Sequence, residues 1–497
     1  MNTFMNSAVD TIAKINGVLN DFIWGPIMLA FFLCVGLMFT LRTKVFQITH
    51  IKEWLDITFL QLFKKGNKKV LKTKDKHAIS QFQSLCTALA ATIGVGNISG
   101  VAIALALGGP GAIFWMWLSA FLGMMTNYAE NALGIKYRYK NEKGNWVGGA
   151  MIYIEKGLGW KWLAIIFSIF CMCASFGIGN MSQSNEIANG LANSFGIPKP
   201  VTAILIMVFT ALVILGGIKR IAAVTEKFVP FMAVTYIIGA LIVICTNIGA
   251  VPSALASIFQ NAFTLPSAAG GVTGFTVMLA IRQGVARGVF SNEAGLGSSV
   301  MVHSASDVKE PVVQGMWGIF EVFFDTMIVC TMSAIVCLSS GYIDLETGNA
   351  AAEVAANDGA TLVSMTFGNA FGWFGQAFVA IAMLLFAFTT VLGWSQYGSK
   401  AVEYLFGVKG VKIYKVIFVL MIVSGAVMQS SLAWDISDTF NGLMMVPNLI
   451  GVVALFPLVM KITQNYVDRK IKGKKDIAPL LSYDAATQKE MEAQADD

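Results

Sequence analysis

FQSLCTALAATIGVGNISGVAIALAL, residues 82–107, carries no charged side chain and is long enough to cross a bilayer as one helix. Its centre is GVGNISG, residues 94–100, with three glycines and an asparagine. Each glycine costs about 1 kcal/mol against alanine in a helix interior. Unwound backbone at membrane depth has amides and carbonyls that hydrocarbon cannot satisfy. Such a break persists only where it lines a cavity or holds a ligand. The broken ends offer a helix N-terminus to an anion and loose carbonyls to a cation. A second interruption, GVFSNEAGLGSS, occupies residues 288–299. Two interrupted spans point to a solute site in a secondary transporter.

The rest of the chain agrees with a membrane reading. Of 497 residues, 56% are hydrophobic and 13% charged, where a soluble domain has about 25% charged. The mean hydropathy is +0.67. The apolar runs are continuous and near twenty residues, not alternating, so helices and not barrel strands are expected. The net charge of +6 comes from basic residues beside the spans, and is no sign of nucleic-acid binding. Seven cysteines lie in apolar runs with no metal-ligand spacing. Three histidines, His50, His77 and His303, are scattered in basic or interfacial contexts, which argues against a zinc or histidine-based centre. No HExxH or Walker motif is present, and no cleavable signal is expected, since the first apolar run ends in Arg42 and Lys44.

Spans are expected near 22–41, 81–107, 111–134, 162–190, 200–217, 228–247, 273–304, 314–340, 371–404, 412–431 and 434–461. The lysine-rich loop 42–77 belongs on the cytoplasmic side, as do 136–161, 219–227, 400–415 and the tail from Lys461. The loop 341–370 has Asp344, Glu346, Glu353 and Asp358 and no lysine or arginine, and belongs outside. With about eleven spans the N-terminus is outside and the C-terminus cytoplasmic. If the first span is set aside, the broken spans each open a set of five, and the sets are inverted relative to one another. The expected organisation is an N-terminal segment (1–80), two five-helix repeats (81–247 and 248–462) and a tail (463–497), partly disordered after Lys475. Residues 51–63 fit either an amphipathic helix on the inner surface or a basic linker.

Candidate functional residues cluster at the breaks. The backbone from Val95 through Gly96 to Asn97 is placed to donate to a substrate carboxylate. Arg287 and Glu293 flank the second break as a gate or a structural pair, and Phe290 between them is a wall for the substrate. Thr389 and Thr390 are adjacent hydroxyls in an apolar helix. They either back-bond to their own helix or supply hard oxygen ligands to sodium. Trp394 lies one turn beyond Thr390 on the same face. Gln183 and Asn185 serve either as glue between helices or, for Gln183, as a substrate contact. Glu130, Glu321, Asp325, Asp435 and Asp438 have no expected role beyond structural or interfacial pairing.

At these residues the chain resembles a known family. GGPGAIFWMWLSAFLGM (108–124), ATIGVGNISG (91–100), RGVFSNEAGLGSS (287–299) and FAFTTVLGWSQYG (386–398) look like the motifs of the alanine or glycine:cation symporters, also called the sodium:alanine symporter family. That family is similar in fold to the sodium-coupled leucine-transporter group. The resemblance implies an all-α membrane protein with a 5+5 inverted repeat and discontinuous first and sixth core helices. It implies a sodium site from the carbonyls of Ala90 and Ile93 with Thr389 and Thr390, joined by the Phe386 carbonyl. It implies substrate contacts from Val95, Gly96, Asn97, Gln183, Phe290, Ser291 and Trp394.

The expected function is sodium-coupled uptake of a small neutral amino acid, alanine or glycine first, in a prokaryotic inner membrane. Glutamine or serine, and coupling to protons, are the alternatives within the same fold. An enzyme or a channel is disfavoured. No cofactor, nucleic acid or obligate protein partner is expected beyond sodium, the amino acid and the bilayer.

Overall fold

The computed structural model describes residues 14–64, 68–142, 144–263, 277–351 and 359–482. Expectations for Glu353, Asp358 and the tail beyond 482 lie outside these, as does the start of the span expected from 273. The described chain is helical apart from a short antiparallel ribbon, Tyr139–Lys140 paired with Trp146–Val147. Among the described residues four helices are long and apolar enough to cross a membrane: Lys161–Phe195, Gly217–Thr246, Pro311–Leu338 and Trp373–Val427. Three bent pairs join them if each is one interrupted span. Of these, Gln81–Thr92 with Gly96–Gly108 turns by 53° at the glycine-rich centre. The last long helix divides at Gly407, whose φ of 71° no helix contains, so the spans expected on either side of it are separate. This is a multi-pass helical membrane protein.

The polar residues of the helices face inward because lipid offers them nothing. Gly111–Tyr137 buries Asn127, Glu130 and Asn131 completely, while Ile204, Phe209, Phe231 and Ile238 of the surrounding helices point outward. Apolar exposure of this kind is what a bilayer-facing surface requires.

Contacts between loops sort the two ends of the bundle. At one end the Ile79 amide donates to Ala305, Asn141 bonds Glu403 and Arg469 pairs with Glu310 at 2.8 Å. Arg138, buried at this end, donates to the carbonyls of Ser304, Ser306 and Val308 (3.0 Å for Ser304). These are the basic loops. At the other end Asn261 donates to Leu345 of the acidic loop, and Trp373 to Ser194.

Two details sharpen the expected organisation. Residues Ile51–Ile57 form a helix whose Trp54 is buried and donates to the Gln47 carbonyl, so this segment is more than a linker. In the tail, Leu481 and Ser482 are buried, with Lys136 donating to the Leu481 carbonyl and Ser482 to that of Arg138. The chain after Lys475 is therefore anchored at least as far as 482.

Candidate functional site

The first broken helix enters through a capping box. Ser80 Oγ accepts from the Gln83 amide, and Gln83 Oε1 accepts from that of Ser80, both at 3.1 Å. The helix stops at Ile93, whose ψ of 86° leaves the α region. The Gly94 amide, which would continue the ladder onto Ala90, turns instead to Asn97 Oδ1 at 2.9 Å. The Asn97 amide bonds Gly94 O at 3.3 Å and so does not reach Ile93. The carbonyls of Ala90 and Ile93 are thus released from the helix. Both meet the Thr390 hydroxyl, at 2.9 and 3.4 Å, and the Phe386 carbonyl joins them at 3.0 Å. A hydroxyl has one proton and can satisfy one of three carbonyls at a time. Three acceptors around a single donor is an arrangement suited to a small cation. Glycine is required at 94 because a Cβ there would collide with the Thr390 hydroxyl.

Thr389 behaves differently. Its hydroxyl lies 3.1 Å from Leu385 O and 2.9 Å from Phe386 O, one turn back in its own helix. That is back-bonding. The expected pair of hydroxyl ligands resolves into Thr390 at the break and Thr389 beside it, linked through the shared Phe386 carbonyl.

On the other side of the break, Gln183 Oε1 accepts from the Val95 amide at 3.2 Å, and its Nε2 donates to Ile178 O at 2.9 Å. Gln183 follows a π-helical turn, Gly177–Met181, and such turns recur at functional sites. Asn185 bonds the carbonyls of Gly425 and Met428 and serves as glue between helices. Phe290 lies against Gly96, where an added Cβ would be 3.1 Å from its ring. It also meets Trp434, with the rings tilted by 33° and 4.6 Å between centroids.

The second broken helix, Val277–Asn292, ends in a left-handed Glu293 (φ 57°) followed by Gly295 and Gly297, also at positive φ. Ser291 donates to Asp325 Oδ2 at 2.8 Å, and Asn97 of the first break donates to Asp325 Oδ1 at 2.7 Å. Thr326 adds a third donor at 2.8 Å and itself accepts from Asn292. One buried carboxylate therefore holds both breaks. It rises from another π-helical stretch, Phe323–Cys330.

The Arg287–Glu293 pair is not formed. Arg287 makes a two-pronged salt bridge to Asp438, with Nη1 at 3.1 Å from Oδ1, and its guanidinium lies 5.0 Å over the Trp434 ring. Glu293 turns away because its left-handed backbone directs it to Ser298, at 2.5 Å. The Trp394 indole packs on Gly179 and faces the Glu293 carboxyl, though neither the indole nitrogen nor Glu293 Oε1 has a bond of normal geometry. At the acidic end, Gly359 lies on the Ser99 carbonyl and covers the first break.

Sequence reasoning missed five participants. Glu186 accepts from Ser99 and from Trp434 Nε1, both at 2.9 Å. Asp325 and Asp438 were expected only to pair structurally, and His303 only to be scattered, yet His303 is fully buried against Glu321 at 2.9 Å. Glu186 and Trp434 carry no spacing signal. For Asp325 and Asp438 the cost of a charge inside a membrane span was the available hint.

The sodium:alanine symporter family matches residues 9–479. The chain is 42% identical over 462 residues to the sodium/alanine symporter AgcS of Methanococcus maripaludis, covering 92% of this chain and 98% of that protein. It is 36% identical over 465 residues to GlnT of Bacillus subtilis, described as a probable sodium/glutamine symporter, covering 93% and 92%. Among solved structures, MhsT in complex with L-phenylalanine superposes with a TM-score of 0.54 at 13% identity. The match covers 78% of this chain and 99% of that one, and it indicates a shared leucine-transporter-like fold.

Proposed function

The chain belongs to the sodium:alanine symporter family, and on that premise we propose that it imports a small neutral amino acid, alanine or glycine first, driven by sodium. It is a transporter and not an enzyme. The observation that carries the sodium assignment is the single Thr390 hydroxyl facing the carbonyls of Ala90, Ile93 and Phe386. Sodium displaces that proton-sharing arrangement with an ion that all the oxygens bind at once, and Thr389, whose hydroxyl shares the Phe386 carbonyl, is the further ligand.

The amino acid takes the opposite face of the break. Its carboxylate competes with Gln183 Oε1 for the Val95 amide, so Gln183 acts as the stand-in that leaves when substrate arrives. Phe290 against Gly96, backed by Trp434, favours a short side chain. Alternating access follows from two covers. Arg287–Asp438 and Gly359 close the break on the acidic, outer side, and the packed loops at the basic, cytoplasmic side close the other. In this arrangement the helices following the first span form two inverted sets of five, with the N-terminus outside and the C-terminus inside.

Reconstitution into proteoliposomes tests the proposal. Labelled L-alanine should accumulate under an inward sodium gradient and fail to do so in potassium. Accumulation driven equally by a proton gradient without sodium would overturn the sodium assignment. Competition by glycine, serine and glutamine ranks the substrates, and preference for glutamine would move this chain to the GlnT side of the family.

A further inference from the structure

Residues 42–64 take no part in the site described above. The first span, Pro26–Arg42, meets its only charged side chain at Arg42. The chain then turns through two left-handed residues, Lys44 (φ 57°) and Val45 (φ 56°), and runs along the flank of the bundle. One side of this segment is inserted. Phe46 packs on Tyr128 at 5.5 Å between centroids, Trp54 on Phe323 at 5.7 Å and Phe59 on Phe320 at 5.8 Å. Gln47 donates to the Phe121 carbonyl at 3.3 Å. The other side is bare. Ile48, Ile51, Leu60 and Phe63 are exposed, Phe63 by 72%.

The partners of the inserted side fix its depth. The helix Gly111–Tyr137 begins at the acidic end, where Gly111 lies against Asn261, the residue that donates to Leu345. Pro311–Leu338 ends just before the same acidic loop. About twenty helical residues cover the ~30 Å of bilayer hydrocarbon. Counted inward from the acidic end, that layer closes near Asn131 on the first helix and near Gly318 on the second. Tyr128, Phe320 and Phe323 therefore stand just inside its boundary at the basic end, and the segment packed on them lies at the level of the lipid headgroups. An element at that level has acyl chains on one side and phosphates on the other, and its bare side chains match both. Arg42, Lys44, Lys52 and Lys64 are exposed, whereas the two acidic residues of the segment, Glu53 and Asp56, are half-buried. Lys64 pairs with Asp56 at 3.2 Å, and the other three cations form no ion pair among the described residues.

We infer that residues 42–64 form a binding site for anionic phospholipids of the cytoplasmic leaflet, with Arg42 and the lysines on the headgroup phosphates and the bare apolar side chains among the acyl chains. An anionic leaflet attracts each lysine or arginine beside it, and an apolar face at this depth seats at the boundary of headgroups and chains. A zwitterionic lipid offers the same chains without the net charge, so the discrimination comes from the cations. The site is joined to the transport core. Phe323, on which Trp54 packs, opens the π-helical stretch that carries Asp325, the carboxylate shared by the two breaks. A bound lipid therefore braces the element that holds the breaks in register. The choice of leaflet rests on the orientation proposed above, whereas the binding itself does not.

Titration of the purified full-length protein in detergent with phosphatidylglycerol or phosphatidylcholine, read by native mass spectrometry, decides it. Phosphatidylglycerol should bind the more tightly. Lys44→Gln and Lys52→Gln should each weaken its binding about fivefold, and together about 25-fold, with phosphatidylcholine binding unchanged. Lys64→Gln should cost less, because Asp56 already takes part of that charge. Lys409→Gln alters an exposed lysine at the same end but outside the segment, and should leave the affinity at the parent value. Glycerol 3-phosphate, which has the phosphate and no acyl chains, should fail to compete. Equal affinity for the two lipids, an equal loss in Lys409→Gln, or competition by glycerol 3-phosphate would each overturn the inference, and would do so even with sodium-driven alanine uptake intact. The expected lipid pattern in a protein that takes up no amino acid would sink the transport reading and leave the lipid site standing.

Discussion

Replacing Thr390 with valine keeps the side-chain volume and removes one oxygen. In the structure that oxygen is the common partner of three carbonyls, two of them released from the first broken helix. A hydrogen bond or ligand contact to a charged group is worth about 1.5–3 kcal/mol. Since 1.4 kcal/mol is tenfold in an equilibrium constant, sodium affinity should fall by roughly ten- to a hundredfold. Thr389→Val should cost less, about threefold, because that hydroxyl is already bonded within its own helix. Thr390→Ser retains the oxygen and should stay within about threefold of the parent. The assay is the sodium dependence of alanine uptake in proteoliposomes, at saturating alanine and with reconstituted protein quantified. A well-folded Thr390→Val protein with the parent's sodium half-saturation would refute the assignment. So would a series in which Thr389→Val is the more damaging of the two.

Three further outcomes follow from the same geometry. Gly94→Ala drives a methyl group into the Thr390 hydroxyl and to within 3.1 Å of Gln183 Oε1, so uptake should be lost while the protein is still inserted, as measured by surface labelling beside transport. Gln183→Leu removes the group that competes with the substrate carboxylate for the Val95 amide, and half-saturation for alanine should fall by about fivefold with sodium dependence less affected, read from uptake kinetics. Asp438→Asn leaves the buried Arg287 without its counterion, a change that typically costs about 3–5 kcal/mol. Thermal unfolding in detergent should shift down by several degrees, whereas Glu293→Gln, which does not touch Arg287, should leave the unfolding temperature much closer to the parent.

Much of the fold was legible because membranes enforce simple rules. Glycines inside an apolar run marked the first break, and lysines between runs marked one end of the bundle, which the loop contacts then gathered together. The site was legible where chemistry is local to a motif. Val95, Gln183, Phe290, Ser291 and Thr390 all meet at the breaks. It was not legible where the partner is distant. Glu293 is near Arg287 in sequence and seemed its natural mate, but the partner is Asp438, 151 residues away. Periodicity predicts a face, not which carboxylate another helix brings to it. Nor does adjacency of two threonines say that only one reaches the break. Neighbouring residues on a helix point about 100° apart, so Thr390 faces Ala90 while Thr389 returns to its own backbone.

Asp325 shows how the two halves of such a site are kept in register. Loose backbone at two separate breaks would wander independently if each were satisfied by its own neighbours. Here Asn97 from one break and Ser291 from the other donate to opposite oxygens of a single carboxylate, and Asn292 reaches the same group through Thr326. The carboxylate accepts three side-chain hydrogens and meets no cationic side chain among these contacts. Its stability inside the membrane therefore depends on both breaks staying in place. Withdrawing either helix leaves part of a buried charge unsatisfied, which penalises one-sided motion. The arrangement favours displacement of the two breaks together.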